Sequence, residues 1–345
     1  MISPDDCNIL EFIDKISDIK NKLLKLIDKF SSQRILVLGD LMVDRYLWSS
    51  VDRISQEAPV PIAKIENETY VPGGAANAIY NLASLGIHVV ALGTVGDDLP
   101  GKQLVEQLAK KRVDVSEILV DPSRPTTVKT RIMSGNYQLI RFDYESQIPI
   151  NRQAEGKFLK ALENKLSGTK ILVISDYSKG LLSDHLARRG IEISIRANVK
   201  TLVDPTSQSF LKYRRAYLIK PNKNEAESIS GELIRNDYSN LKAIGQKVLR
   251  KLKTDVVCIT LGKDGMAIVN SFNNIFRIPT AGREVYDVSG AGDTTMATLA
   301  ASLASGSSLR EAATLANIAA GIVVGKLGTS TCTSTELISR LKKAL

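Results

Sequence analysis

The residues with the sharpest chemical implication run from Asp287 through Val288, Ser289, Gly290, Ala291 and Gly292 to Asp293, followed after Thr294 and Thr295 by the small helix formers of 296–306. Such a run predicts a helix opening at Gly290-Ala291-Gly292, with unpaired backbone N–H groups and the positive dipole end exposed. That arrangement binds a phosphate, or the charge that develops as one is transferred. Small residues let the anion approach the backbone. Asp293 then falls beside the anion, where a carboxylate can take the proton of an attacking hydroxyl as a general base. The plainer alternative is an Asp that only caps its own helix. Two other phosphate loops are excluded: Gly-x-Gly-x-x-Gly needs glycine where Thr295 stands, and no Gly-x4-Gly-Lys-Ser/Thr occurs.

Three further clusters share this logic. Asp40 and Asp44 fall just past an apolar run, at the strand end where open α/β sheets bind ligands. Gly73-Gly74-Ala75-Ala76-Asn77 opens a helix; its glycines allow close approach to a sugar, while Asp44 and Asn77 offer acceptors and donors to hydroxyls. A plain turn would have the same glycines. Asn222 and Glu225, after another strand, can reach phosphate oxygens and hydrated Mg²⁺, or can form an ordinary capping box. Thr260 and Gly262 follow a strand, and Asn317 lies in a helix of small residues. All three can wall an adenine pocket, although tight helix packing also explains Asn317.

The elements that must carry these residues are legible as an alternation. Short apolar runs at 35–38, 89–92, 171–174, 201–203, 217–219 and 256–260 read as strands. Helical patterns at 75–85, 100–111, 152–166, 183–197, 223–230 and 239–252 lie between them. Near-continuous apolar strands alternating with helices predict an α/β fold, a mostly parallel sheet covered on both faces. Residues 46–70 and 126–143 break the rhythm as β segments without helices, and predict a small sheet standing off the main one as a lid. Residues 8–30 space their apolar side chains as an amphipathic helix, so 1–33 read as an extension before the domain of 34–345.

Composition closes several routes. Hydrophobic residues make up 43% of the 345, yet no run of 18 apolar residues occurs, so no membrane insertion is expected. The N-terminus lacks the layout of a secretion signal, and a cytoplasmic enzyme is expected. Cys7, Cys258 and Cys332 are too scattered for a disulfide framework or a Cys-x-x-Cys metal site. With only His88 and His185, histidine-based chemistry is not expected. The charge of +9 comes from short basic clusters without interleaved aromatics, so nucleic acid is not the expected partner.

Taken together and in this order, the motifs resemble the ribokinase-like (PfkB) carbohydrate kinases over about residues 34–343. The resemblance implies an ATP-dependent sugar kinase with Asp293 as catalytic base and Gly290, Ala291 and Gly292 as anion hole. It implies Asp44, Gly73, Gly74 and Asn77 at the sugar, and Asn222, Glu225, Thr260, Gly262 and Asn317 at ATP and Mg²⁺. Glu225 would serve the metal. A monovalent cation such as K⁺ would be held by Asp287 and the Ser289 carbonyl, near Gly328 and Ser330. The lid implies a homodimer.

Residues 53–61, 138–143, 175–180 and 321–330 narrow the resemblance. They are similar to the branch of the family that phosphorylates D-glycero-β-D-manno-heptose 7-phosphate at O1, in lipopolysaccharide heptose synthesis. A sugar phosphate as substrate implies cationic partners, with Arg45, Arg53, Arg131, Arg141 and Lys179 as candidates, and Asp176 at a sugar hydroxyl. Many members of that branch carry a second, nucleotidyltransferase domain with a His-x-Gly-His motif. Two histidines cannot supply it, so an adenylylation step is expected of another protein. Another sugar or nucleoside kinase, a non-catalytic sugar or nucleotide sensor, and a nucleic-acid binder are the rival readings.

Overall fold

The structure, a computed structural model, describes residues 18–205, 209–235, 237–272, 274–280, 288–326 and 328–344. Residues 18–28 form a helix (α1), followed by strands β1 (Arg34–Gly39), β2 (Leu41–Ile54) and β3 (Pro61–Gly74). Next come α2 (Ala75–Ser84), β4 (His88–Val95), α3 (Leu99–Lys110), β5 (Asp114–Val120), β6 (Thr127–Ser134) and β7 (Tyr137–Tyr144). An alternating stretch holds α4 (Arg152–Lys165), β8 (Ile171–Asp176), α5 (Asp184–Arg196), β9 (Lys200–Pro205) and β10 (Leu218–Ile219). It continues with α6 (Lys223–Ser230), α7 (Tyr238–Leu252), β11 (Val256–Thr260), β12 (Met266–Asn270) and β13 (Ile275–Ile278). Helices α8 (Ala291–Ala304), α9 (Leu309–Val323) and α10 (Ser334–Ala344) follow.

Nine strands form one sheet in the order β13-β12-β11-β10-β9-β8-β1-β4-β5, with only β12 and β13 antiparallel to their neighbours. Strand β1 shows why the apolar runs are unbroken. Ile35 and Val37 face one core with α2, α8 and α9, while Leu36 and Leu38 face the other with α4, α5 and α7. Both faces are covered, so every position must be apolar. Each such side chain contributes roughly 1.5–3 kcal/mol on full burial. All six strands and six helices read from the sequence are present. The charged edge strand β5 and the β12–β13 hairpin were not anticipated.

The second sheet, in order β3-β2-β6-β7, is the expected off-standing sheet with longer strands. Its long strands β2 and β3 run on past both ends of 46–70, because Leu41, Met42 and Val43 are buried and root β2 in the body. The turn between β6 and β7 is Gly135-Asn136, with Gly135 at φ +56°.

Helix α1 packs on the domain through Leu23, Leu26 and Ile27, and Phe30 follows them into the same core. Residues 8–17 of the anticipated helix lie outside the described residues. His88 is exposed at the start of β4, and His185 meets Glu155 at 3.0 Å in the first turn of α5. Cys258 and Cys332 are buried free thiols. Among the described residues no helix is long and apolar enough to cross a membrane.

Candidate active site

Helix α8 opens as its residue types demand. Gly290 is the N-cap at φ +79°, a left-handed conformation favouring glycine, and no side chain caps the helix. Asp293 sits in the first turn and is 6% exposed, but it does not cap α8. Its Oδ2 accepts from Asn77 Nδ2 at 2.8 Å and its Oδ1 from the Tyr177 hydroxyl at 2.5 Å. Burial and the Asp204 charge push the Asp293 carboxyl up to about 6, against the two hydrogen bonds and Lys220, which favour the carboxylate.

Asn77 comes from the first turn of α2, which Gly74 opens at φ +54°. A Cβ at Gly74 would meet the Met42 side chain at 2.5 Å, and one at Gly73 would meet Asp44 Oδ2 at 2.8 Å. The glycine pair therefore lets the chain pass the start of β2. A Cβ on Gly290 would lie 2.7 Å from Asn77 Nδ2, so the two helix starts are in direct contact.

On the other side of α8, Lys220 pairs with Asp204 at 2.8 Å, and both side chains are buried. Burial pulls the Lys220 ammonium down, but the Asp204 charge and hydrogen bond, with Cys258 and Glu225, together outweigh it and hold it above the ordinary lysine range. A Cβ on Gly292 would stand 3.5 Å from Lys220 Nζ. The Ala291 amide donates to the Val288 carbonyl at 3.2 Å, but no side chain caps α8, so its first turn joins uncapped amides to a buried cation, a setting for anionic oxygens.

The lid supplies the remaining wall. Asp44 Oδ1 accepts from Arg131 Nη1 at 2.7 Å and Oδ2 from Thr329 Oγ1 at 3.1 Å. Arg131 also lies over the Tyr46 ring at 5.3 Å, and Tyr46 bonds Thr329. Arg141 in β7 pairs with Asp143 at 2.6 Å, and Lys179 with Glu145 at 2.7 Å.

Not every anticipated residue converges here. Asp176, expected at a sugar hydroxyl, is 1% exposed, and its carboxylate is taken up by Lys212 at 2.6 Å, the Tyr213 hydroxyl and the Ser178 amide. It points into the second core rather than the cleft. Asp40 likewise serves the backbone, accepting from the amides of Tyr177, Lys179 and Leu181. Burial and the Asp176 charge hold it at about 6.

Asn222 and Glu225 form a reciprocal capping box on α6, the plainer of the two readings. Glu225 nevertheless sits at about 7, raised by burial and by Asp204, with the Asn222 amide opposing. Thr260 bridges Asn222 at the end of β11, and Gly262 follows at φ +60°. Asn317 Nδ2 donates to the Pro279 carbonyl at 2.7 Å, holding a neighbouring loop. Ser289 lies in the turn before α8 and Gly328 near Tyr46, whereas Asp287 lies outside the described residues.

Tyr177, Asp204, Lys129 and Lys220 had no assigned role in the sequence. Tyr177 and Asp204 follow or end strands β8 and β9 on the same sheet edge as Asp40, and that placement is the signal that marks them. Lys129, in β6, stands 5.2 Å over the Tyr177 ring.

The description "pfkB family carbohydrate kinase" matches residues 32–336. The bifunctional protein HldE of Helicobacter hepaticus is 42% identical over 307 residues, 89% of this chain and 63% of that protein. HldE of Trichlorobacter lovleyi is 40% identical over 314 residues, 91% of this chain and 64% of that protein. The chain thus spans somewhat under two thirds of the length of these relatives. Among solved structures, Arabidopsis thaliana ribokinase complexed with ribose and ATP superposes with a TM-score of 0.72 at 20% identity, covering 90% of this chain and 99% of that one. Escherichia coli phosphofructokinase-2 in complex with potassium gives 0.76 at 18%, covering 90% and 98%. At such identities the likeness is one of fold.

Proposed function

The chain belongs to the pfkB family of carbohydrate kinases, and on that premise we propose that it moves the γ-phosphoryl group of ATP onto O1 of D-glycero-β-D-manno-heptose 7-phosphate. The product is the 1,7-bisphosphate, and the step belongs to lipopolysaccharide heptose synthesis in the cytoplasm. Identity near 40% to HldE proteins over nine-tenths of the chain supports this choice of sugar. The observation that carries the chemistry is Asp293. It is a buried carboxylate at a helix N-terminus, fixed by two donors and raised to about 6, so near neutral pH it is ionised yet ready to accept a proton.

In this reading Asp293 takes the O1 proton while the amides of Gly290 and Gly292, with Lys220, hold the phosphoryl oxygens, and the Ala291 amide joins them on leaving the Val288 carbonyl. Asp44 and Asn77 orient the sugar. The lid excludes water. Among the described residues no group of three or more His, Cys, Asp or Glu is placed to hold a metal. That suits Mg²⁺, which usually arrives with phosphate oxygens and water and needs one or two carboxylates. Glu225 fits as an oxygen donor, and the Asp204 charge that helps raise its proton affinity would equally favour a cation beside it. When bound, Mg²⁺ would neutralise charge on the phosphate oxygens. K⁺ near Ser289, Gly328 and Ser330, with Asp287, belongs to the same reading.

A homodimer through the lid is supported by Ile140, Phe142 and Tyr144, which expose one apolar face of β7. The test of function is ATP turnover with heptose 7-phosphate, with the product position read by phosphorus NMR. A 1,7-bisphosphate is expected. Turnover of an unphosphorylated hexose or a nucleoside instead would overturn the choice of substrate, and binding without ADP release would favour a sensor.

A further inference from the structure

The side of the lid that looks onto Asp293 carries alternate residues of its strands, Asp44 from β2, Lys129 and Arg131 from β6, and Arg141 and Asp143 from β7. Lys179 and Glu145 border it. Three of its four cations are neutralised in place, Arg131 by Asp44, Arg141 by Asp143 and Lys179 by Glu145. Lys129 is the exception. Its ammonium makes no ion pair or hydrogen bond among the described residues, and its contact is the face of Tyr177 at 5.2 Å. Burial lowers its proton affinity, and the charges of Arg141 and Lys179 act in the same direction, against Asp44 and Asp143. Asp44 and Asp143 flank it but are each bonded to an arginine, so a half-buried cation without a direct partner costs the fold stability that an anionic ligand would return.

The geometry also limits where that anion sits. Tyr177 offers its hydroxyl to Asp293 and its ring face to Lys129. A ligand whose reacting hydroxyl meets Asp293 must extend past one tyrosine ring to reach Lys129, about the reach of a sugar ring with a short phosphorylated side chain. In the proposed reaction the phosphoryl group in transfer is held elsewhere, at the first turn of α8, where Lys220 Nζ stands 3.5 Å from a Cβ on Gly292. We propose that Lys129 is the receptor for the phosphate already carried by the acceptor sugar, and so selects phosphorylated over neutral sugars. This rests on the reading that the acceptor is a sugar phosphate.

The test compares wild type, Lys129→Met and Lys129→Arg on heptose 7-phosphate and on the unphosphorylated heptose, with ATP saturating and then varied. In Lys129→Met, KM for the phosphorylated sugar should rise roughly ten- to a hundredfold, as expected for a lost charge-assisted hydrogen bond. Turnover of the neutral sugar and KM for ATP should stay within about threefold, since Lys129 meets the machinery around Asp293 only through the face of the Tyr177 ring, whose hydroxyl bond it leaves in place. Lys129→Arg should recover part of the preference. Melting curves should show no loss of stability in Lys129→Met, because the charge removed is half-buried and bonded to no partner. An equal loss on both sugars, or a shift in KM for ATP alone, would overturn the proposal. If the wild type turns over a different sugar, the substrate reading fails by itself. The same ratio measured on that sugar and its phosphate ester then decides the role of Lys129, which fails if the wild type does not prefer the ester.

Discussion

Asn77 Nδ2 donates to Asp293 Oδ2 at 2.8 Å, joining the first turns of two helices 216 residues apart in sequence. The two glycine-opened turns are therefore one device. Gly74 brings α2 in beside β2, Gly290 brings α8 in beside Asn77, and the carboxylate is held at the meeting point.

Alanine at the two glycines of the α8 turn should behave differently. At Gly290 it faces φ +79° and a Cβ 2.7 Å from Asn77 Nδ2, so Asn77 must leave Asp293. A loss of activity of about a hundredfold is expected, with the strained turn costing roughly 1–3 kcal/mol. Gly292→Ala meets Lys220 Nζ at an ordinary 3.5 Å and should fold like wild type. Parallel melting curves and turnover assays compare them; equal damage from both would contradict the geometry.

Replacing Asp293 by Asn should lower kcat by about 10²–10⁴, the usual contribution of a general base. Wild-type kcat/KM should rise with pH through about 6 and level off above it, because the reactive form is the carboxylate. The stability effect has the opposite sense. The native state holds the Asp293 proton more tightly than the unfolded chain, so this stabilisation is complete below about 4 and lost as pH rises through about 6. Asp293→Asn escapes that loss. Its stability relative to wild type should therefore increase between pH 4 and pH 7, by at most roughly 3 kcal/mol. Urea titrations at several pH values measure it, and a flat difference would count against the burial of this charge.

Tyr177→Phe removes a hydrogen bond that favours the Asp293 carboxylate. The acidic limb of the rate profile should move to higher pH, with a loss of about tenfold in kcat at neutral pH. A profile that keeps its limb while melting temperature falls would make Tyr177 a packing residue only.

Asp204→Ala strands the buried Lys220 ammonium and should cost about 3–5 kcal/mol in denaturant unfolding. The double change Asp204→Leu with Lys220→Met should recover much of this stability without recovering activity, since the cation at α8 is gone. A cost below about 1 kcal/mol for the single change would mean that the pair is solvated.

The sheet was readable because residues such as Leu36 and Val37 face separate cores, which forbids polar positions and leaves an unbroken apolar run. Strand β5 escaped notice for the converse reason. As an edge strand it carries Asp114 and Glu117, which meet Lys165 rather than a core. At the site, residue types announced the α8 turn and Asp293, but not which groups hold the carboxylate. Tyr177 is separated from it by 116 residues, and nothing local distinguishes it from a strand-end aromatic. Asp176 was misplaced by the same blindness. A carboxylate ending a strand looks alike in sequence whether it faces a cleft or, as here, a lysine and a tyrosine 36 and 37 positions later.

The contacts of α1 have a consequence for synthesis on the ribosome. Lys20 reaches the Lys342 carbonyl at 3.0 Å, Lys22 meets Glu311 at 2.6 Å, and Leu23, Leu26 and Ile27 share a core with Leu337 and Leu341. An apolar surface on α1 is thus completed by residues far along the chain, 322 positions separating Lys20 and Lys342. Until α10 has been synthesised those leucines must wait uncovered, a natural opening for a chaperone to engage the nascent chain.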